Sequence, residues 1–386
     1  MHAFQFQTTK SILCEVGATA KIGALMAEMG CKKVAFVTDK IILELGLAAA
    51  ALDGLKAAGV STHIIDDVVA DPPEEMILKA VAEAKAEGVD GVVSVGGGSS
   101  LDTAKLIAVL VGSSQPIDEM YGVGLVKGGR LPLVLAPTTA GTGSEVTPIS
   151  IVTTGTNEKK GVVSPQLLPD WAILDAELTV GLPAHVTAAT GIDAMVHAIE
   201  AYTSKHKKNI VSDTLAREAL SLLGANIHAA CTNGEDRDAR SNMLLGSMLA
   251  GMAFANAPVA AVHALAYPLG GHFHVPHGLS NALVLPYVLE FNMDDAAAAE
   301  QYAEIGPLIF PTLVGKSAAE IGSGMVDGFK AMGPDLGMQS KLAEVGVNHN
   351  NLPMLAEDAM KQTRLLVNNP REMTYEAALA IYTAAL

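Results

Sequence analysis

Residues 91–105 read GVVSVGGGSSLDTAK. The segment up to Val95 is nearly all apolar, as expected for a strand covered on both faces of a parallel sheet. Gly96-Gly97-Gly98 then permit a tight turn and a close approach of the backbone to a ligand. From Ser99 to Leu110 the pattern is helical. A helix that opens on such a turn offers free N–H groups and the positive end of its dipole to an anion. Gly97, Gly98, Ser99 and Ser100 are therefore candidates for holding a pyrophosphate, with Asp102 in the first helical turn. An ordinary strand-to-helix turn would need neither three glycines nor two serines. Leu101 stands where the third glycine of G-x-G-x-x-G belongs, so the common dinucleotide fingerprint is not met.

Outward from this unit the chain alternates. Short β-rich runs at Val34–Thr38, Thr62–Ile65, Leu133–Ala136, Ile149–Val152 and Ala172–Leu174 join Gly91–Val95. Helical stretches at Ile41–Ala58 and Glu74–Glu87 separate the first of them. Strands spaced by helices indicate a parallel sheet with crossover connections. The character changes near Leu182-Pro183, after which Ala/Leu/Met-rich segments broken by Gly, Pro and Asn dominate. The expectation is an α/β domain over residues 1–180 and an all-helical domain over residues 181–386, with a ligand cleft between them. No internal repeat or low-complexity tract is present.

Two further loops bear on the anion site. Asp39 ends the first of these strands, where its carboxylate can accept from ribose hydroxyls and repel a 2′-phosphate, favouring NAD over NADP. A strand-end cap explains it equally well. The loop Pro137-Thr138-Thr139-Ala140-Gly141-Thr142-Gly143-Ser144-Glu145 follows another strand and presents a polar, low-bulk surface suited to phosphate or ribose, with Thr138, Thr139 and Thr142 the candidates. Lys160 is a further candidate contact.

Composition excludes several classes. The chain has 386 residues, half of them hydrophobic, and a formal net charge of −16. Such an acidic chain is a poor partner for nucleic acid or anionic membrane. The N-terminus MHAFQFQTTK lacks the basic and apolar regions of a signal peptide, and no apolar run reaches the length of a membrane span. Cys14, Cys31 and Cys231 lie far apart, which argues for quiet thiols in a reducing cytoplasm rather than a disulfide framework.

The second half carries a different constellation. Asp193 and His197, in TGIDAMVHAIEAY, are spaced i, i+4 and share one helix face. His263 sits in the apolar AVHALAYPLGG and His277 in FHVPHGLSNALVLP. An imidazole in so apolar a setting needs a polar partner. Three neutral imidazoles and one carboxylate would suit Fe²⁺ or Zn²⁺. Chance pairs on helices, and core histidines, account for such spacings about as often.

Taken together, GGGSSLDTAK (96–105), APTTAGTGSEVT (136–147), LPxxxxAATGIDAMVHAIEAY (182–202) and HALAYPLGGHFHVPHGLSNA (263–282) resemble the iron-containing, group III alcohol dehydrogenases. The match spans nearly the whole chain in order and spacing. It implies a Rossmann-like dinucleotide-binding domain with a parallel sheet, followed by an all-helical metal-binding domain, an α/β plus all-α architecture of the dehydroquinate synthase-like kind. It implies metal ligation by Asp193, His197, His263 and His277, and NAD(H) contacts at Asp39, Gly97 to Ser100, Thr138, Thr139, Thr142, Lys160 and Thr179. Phe254 resembles a residue that lines the substrate pocket. Two departures stand out. Tyr267 occupies a position where many relatives have a histidine near the reacting centre, so that Tyr267, His272 or His274 is left to handle the proton. Asp71 stands where relatives often have asparagine.

The expected reaction is interconversion of a small primary alcohol or diol and its aldehyde by metal-assisted hydride transfer with NAD(H), the ion Fe²⁺ with Zn²⁺ as the alternative. No Lys or Arg occurs between Arg240 and Lys316, which disfavours a multiply charged substrate. The other readings are a zinc-dependent polyol dehydrogenase, a sugar-phosphate lyase-like synthase on the same fold, and a non-catalytic structural protein. A homo-oligomer, dimer or larger, follows from the resemblance.

Overall fold

The structure, a computed structural model, describes residues 3–155 and 158–386. These separate into two compact units, one of residues 7–180 and one of residues 181–386 with the described residues up to Phe6.

The first unit holds the strands: β1 (Ser11–Cys14), β2 (Lys33–Val37), β3 (Ser61–Ile65), β4 (Gly91–Gly96), β5 (Gly122–Val123), β6 (Leu133–Pro137), β7 (Ile149–Thr154), β8 (Glu158–Val163) and β9 (Trp171–Leu174). Its helices are α1 (Ile22–Glu28), α2 (Lys40–Glu44), α3 (Ala49–Ala57), α4 (Glu74–Ala86) and α5 (Gly98–Gly112). Six strands form one sheet in the order β1-β9-β6-β4-β2-β3, parallel throughout. One face packs on Ile77, Val81, Leu101 and Ile107 from α4 and α5, the other on Ile22, Met26, Ala51 and Leu55 from α1 and α3. Every residue of β4 and β6 is buried, which explains why both read as continuous apolar runs.

Three expectations change. The stretch expected as one helix from Ile41 to Ala58 is two, because Gly46 adopts φ +72° between α2 and α3, a backbone state that glycine enters at no steric cost. The Ile149–Val152 strand is not part of the parallel sheet. As β7 it pairs antiparallel with β8, in a second sheet ordered β5-β8-β7, and its alternating burial is that of a one-sided strand. β1 and β8 are not visible in the sequence, the first because it is only four residues long and the second because it is polar. β1 alternates between half-buried and exposed residues, and β8 opens on Glu158-Lys159-Lys160.

The second unit is helical: α6 (Ala184–Thr203), α7 (Ile210–Thr232), α8 (Arg237–Asn256), α9 (Ala261–Phe273), α10 (His277–Asn292), α11 (Ala296–Ile309), α12 (Ala318–Asp335), α13 (Leu352–Met360), α14 (Thr363–Leu366) and α15 (Tyr375–Ala385). An Asn209–Ser212 capping box starts α7, satisfying N–H groups that an uncapped helix would leave bare. α6 is buried along most of its length, Asp193, His197 and Glu200 included. α10 crosses it closely. A Cβ built on Gly278 would fall 2.3 Å from the Ala189 carbonyl oxygen, so only glycine allows this approach. No single described helix is long and apolar enough to cross a membrane.

Candidate metal centre and dinucleotide cradle

Three helices deliver the polar cluster of the second unit. α6 contributes Asp193 and His197, which i, i+4 spacing puts on one face. His263 comes from the first turn of α9 and His277 opens α10. Asp193, His197 and His263 are buried and His277 is exposed, and one ligand atom from each of the four lies within 4.8 Å of the others. Phe254, near the end of α8, stacks on His197 with ring centroids 4.3 Å apart and planes at 19°. The His197 and His263 rings are themselves stacked at 4.8 Å.

The spacing of the donor atoms suits a divalent ion. Asp193 Oδ1 lies 3.9 Å from His263 Nε2 and 3.7 Å from His277 Nε2. Ligands about 2.0–2.2 Å from a common ion stand roughly 3.3–3.6 Å apart in a tetrahedron, so these two pairs need to contract by only a few tenths of an ångström, and the widest pair of the four, within 4.8 Å, by roughly an ångström. The Asn281 amide nitrogen approaches Asp193 Oδ1 at 2.6 Å, His277 Nε2 at 3.3 Å and His263 Nε2 at 3.4 Å. One carboxylate oxygen and two imidazole nitrogens thus converge on one point, as ligands to a cation do. The buried Asn281 Oδ1 has no hydrogen-bond partner among the described residues, a lone pair that a group from outside the chain would satisfy. The residues fit the ion. Burial pushes the Asp193 carboxyl up, but the imidazoles of His197, His277 and His263 and the Asn281 amide outweigh it and hold the pKa below the usual aspartate value.

Asn281 and Glu200 were not singled out from the sequence. Each sits at helical spacing from a ligand, Asn281 four residues after His277 and Glu200 three after His197. That spacing was the available signal.

The proton candidates separate. The Tyr267 ring lies 6.0 Å from the His277 ring, centroid to centroid. His272 points elsewhere, with its Nε2 2.5 Å from Asp358 Oδ2. His274 is exposed and closes α9 in the left-handed conformation, φ +54°.

In the first unit the chain leaves β2 for β3 on one side and returns to β4 on the other. Parallel sheets bind ligands beyond the carboxyl ends of the strands at such a reversal. Asp39 follows β2 there and Gly97 follows β4. Gly97 is the N-cap of α5, which exposes the N–H groups of the first turn. Gly98 packs so tightly that an added Cβ would stand 2.8 Å from Thr142 Cγ2. The Thr138 N–H donates to the Gly96 carbonyl at 3.0 Å. Gly97 and the first turn of α5, with Gly98, Ser99 and Ser100, therefore adjoin the loop that carries Thr138, Thr139 and Thr142. Thr179 is buried, donating its hydroxyl to the Ala176 carbonyl, and Lys160 lies on β8 with Nζ 3.5 Å from Glu158. Asp39 Oδ1 accepts from the Ile42 N–H, so it caps α2. Asp71 forms an ion pair with Lys159, which offsets its charge.

Asp102 turns inward. Its Oδ1 accepts from Ser144 Oγ at 2.6 Å and Lys105 Nζ at 3.1 Å, and its Oδ2 accepts from the Ile151 N–H at 2.9 Å. Lys105, fully buried, also donates to Ser144 Oγ, Thr147 Oγ1 and the Ile149 carbonyl. Burial lowers the Lys105 pKa against the opposing pull of Asp102 and Glu145. Burial likewise raises the Glu145 carboxyl to about 7, with Lys105 opposing. This network joins α5 to the threonine loop and was not anticipated from the sequence.

A candidate ion site of three imidazoles and a carboxylate in a helical unit, on the same chain as a parallel-sheet unit with a glycine-rich cradle, is the residue set of a metal-dependent nicotinamide oxidoreductase. The comparisons agree. Residues 9–176 match the family model "Iron-containing alcohol dehydrogenase", and residues 187–386 match "Fe-containing alcohol dehydrogenase family, C-terminal". The chain is 41% identical to long-chain-alcohol dehydrogenase 1 of Geobacillus thermodenitrificans (strain NG80-2), covering 96% of this chain and 93% of that one. It is 37% identical to sulfoacetaldehyde reductase of Bilophila wadsworthia (strain 3_1_6), covering 99% of each. It superposes on a crystal structure of a 1,3-propanediol oxidoreductase with a TM-score of 0.95, 34% identity and complete coverage of both chains. The chain belongs to the iron-containing alcohol dehydrogenase family. It is an oxidoreductase that interconverts alcohols and aldehydes, with NAD(H) and one divalent metal as cofactors.

Proposed function

We propose that Asp193, His197, His263 and His277 hold the metal, Fe²⁺ with Zn²⁺ as the alternative, and that the substrate is a small, uncharged primary alcohol or diol and its aldehyde. The convergence of four ligand atoms within 4.8 Å carries this reading. When bound, the ion supplies Lewis acidity at the substrate oxygen and the nicotinamide takes or gives the hydride. Phe254, stacked on His197, supplies an apolar wall. No Lys or Arg between Arg240 and Lys316 is available to an anionic substrate.

The cofactor is held by residues 7–180, as the dinucleotide-binding domain, and the metal by residues 181–386. The N–H groups after Gly97 and the Ser99 and Ser100 hydroxyls receive the pyrophosphate. Thr138, Thr139, Thr142, Thr179 and Lys160 contact the remainder, and Asp39 accepts from the ribose. Asp102 acts from beneath, by holding Ser144 and α5 in register. The enzyme works in the cytoplasm as a dimer or larger homo-oligomer, on the strength of the family resemblance.

The test is NADH oxidation with short aldehydes, one anionic aldehyde included, on chelator-stripped protein with and without Fe²⁺ or Zn²⁺ under anaerobic conditions. Turnover absent from the stripped protein and restored by Fe²⁺ with a neutral aldehyde is the expected result. Full turnover without any ion would overturn the site assignment, and preference for the anionic aldehyde would overturn the substrate class.

Of the proton candidates, Tyr267 Oη is favoured, because the ring stands beside His277 while the His272 ring is engaged by Asp358. A positioned acid–base group contributes about 10²–10⁴-fold. Tyr267→Phe is therefore expected to lower kcat by roughly 10²-fold and His272→Ala by no more than a few-fold. Steady-state rates that place the larger loss on His272→Ala would transfer the role to the imidazole.

A further inference from the structure

Glu200 lies on α6, 4% exposed, and has both carboxylate oxygens engaged. Oε1 accepts from the Val262 N–H at 2.7 Å, and Oε2 stands 2.7 Å from His263 Nδ1. The ring's other nitrogen, Nε2, faces Asp193 Oδ1 and Asn281. An imidazole can lend Nε2 to a cation only if that nitrogen carries no proton, which places the ring proton on Nδ1. The geometry points to Glu200 as a positioning residue for the metal centre: it accepts the Nδ1–H of His263, selects the tautomer whose Nε2 lone pair faces the ligand cluster, and ties the first turn of α9 to α6 through Val262. The inference rests on the metal reading given above.

Chemistry explains why a carboxylate stands here. Its two acceptor oxygens match two N–H donors, one from the backbone and one from the ring. An amide of the same shape cannot match both. If its oxygen serves Val262, its NH₂ group faces Nδ1 and favours the tautomer with the proton on Nε2. If its oxygen serves His263, its NH₂ group confronts the Val262 N–H. Partners of this kind are worth about 10–100-fold in metal affinity.

The test compares wild type and Glu200→Gln, both stripped of metal. Zn²⁺ dissociation constants are measured by competition with a chromophoric chelator, and melting curves are recorded for the metal-free proteins. The expected result is affinity at least about tenfold weaker in the variant, with a melting temperature close to that of wild type. Equal affinities overturn the positioning role. A lower melting temperature with unchanged affinity also overturns it, by showing a merely structural contact. A wild type that binds neither Zn²⁺ nor, under anaerobic conditions, Fe²⁺ sinks the metal reading itself, which separates the two failures. Should Glu200→Gln not fold, ¹⁵N NMR of the histidine rings in zinc-loaded wild type decides. A proton on His263 Nδ1 supports the assignment, and a proton on Nε2 overturns it.

Discussion

His263→Ala is expected to lose bound metal and at least about 10³-fold in kcat/KM. Lewis-acid stabilisation of a developing oxyanion is worth several kcal/mol, and each 1.4 kcal/mol is about tenfold in rate. The substitution removes one of the four proposed ligands, but it also takes from Glu200 Oε2 its ring partner and leaves a buried carboxylate oxygen unmatched. An unsatisfied buried group costs about 1–3 kcal/mol, so His263→Ala should be less stable than wild type even without metal. His277→Ala provides the comparison. Its side chain is 43% exposed, and it is not the ring that Glu200 holds. Both variants should fail to retain metal by elemental analysis, while only His263→Ala should melt lower as the metal-free protein. A variant that retains a full complement of metal and turns over normally would remove that histidine from the ligand set.

Lys105→Met is expected to cost about 3–5 kcal/mol, the usual penalty for removing one partner of a buried ion pair. Lys105 Nζ has no solvent access and serves Asp102, Ser144, Thr147 and the Ile149 carbonyl. Methionine fills the space but removes the ammonium donor from all of them and leaves Asp102 without its counter-charge, held only by the Ser144 hydroxyl and the Ile151 N–H. At about 2–4 °C per kcal/mol for a unit of this size, the melting temperature should fall by roughly 6–20 °C. The Asp102→Asn, Lys105→Met double variant should fall by less than the sum of the two single changes, because the groups are coupled. Weaker NADH binding should accompany the loss, since the network holds the Ser144 end of the threonine loop. A single variant melting within about 2 °C of wild type would show that the lysine contributes little.

Much of the site could be read along the chain because it lies close together there. The glycine turn joins β4 to α5 within a few residues, and Asp193 and His197 are one helical turn apart. Gly278 and its neighbours His277 and Asn281 likewise sit in one short motif. The partners of these residues were harder to find. Glu200 meets His263 across 63 positions and Asn281 meets Asp193 across 88. Lys105 meets Ser144, Thr147 and Ile149 from a separate element of the fold. No periodicity within a single segment encodes such pairings.

The sequence by itself determined the alternating α/β half, the helical half and the four candidate ligands. Buried parallel strands must be continuously apolar, and residues one helical turn apart must share a face. The tertiary structure decided the rest. It moved β7 out of the parallel sheet, because its partner β8 is too polar to be seen as a strand. It turned the Asp102 carboxylate inward, because a buried lysine required a counter-charge. It placed Tyr267 beside His277 and sent His272 to Asp358, because side chains on one helix point to different surroundings once that helix is packed. Hydrogen-bond satisfaction of buried groups is a property of the assembled core, and it is only there that Glu200 and Asn281 acquire a role.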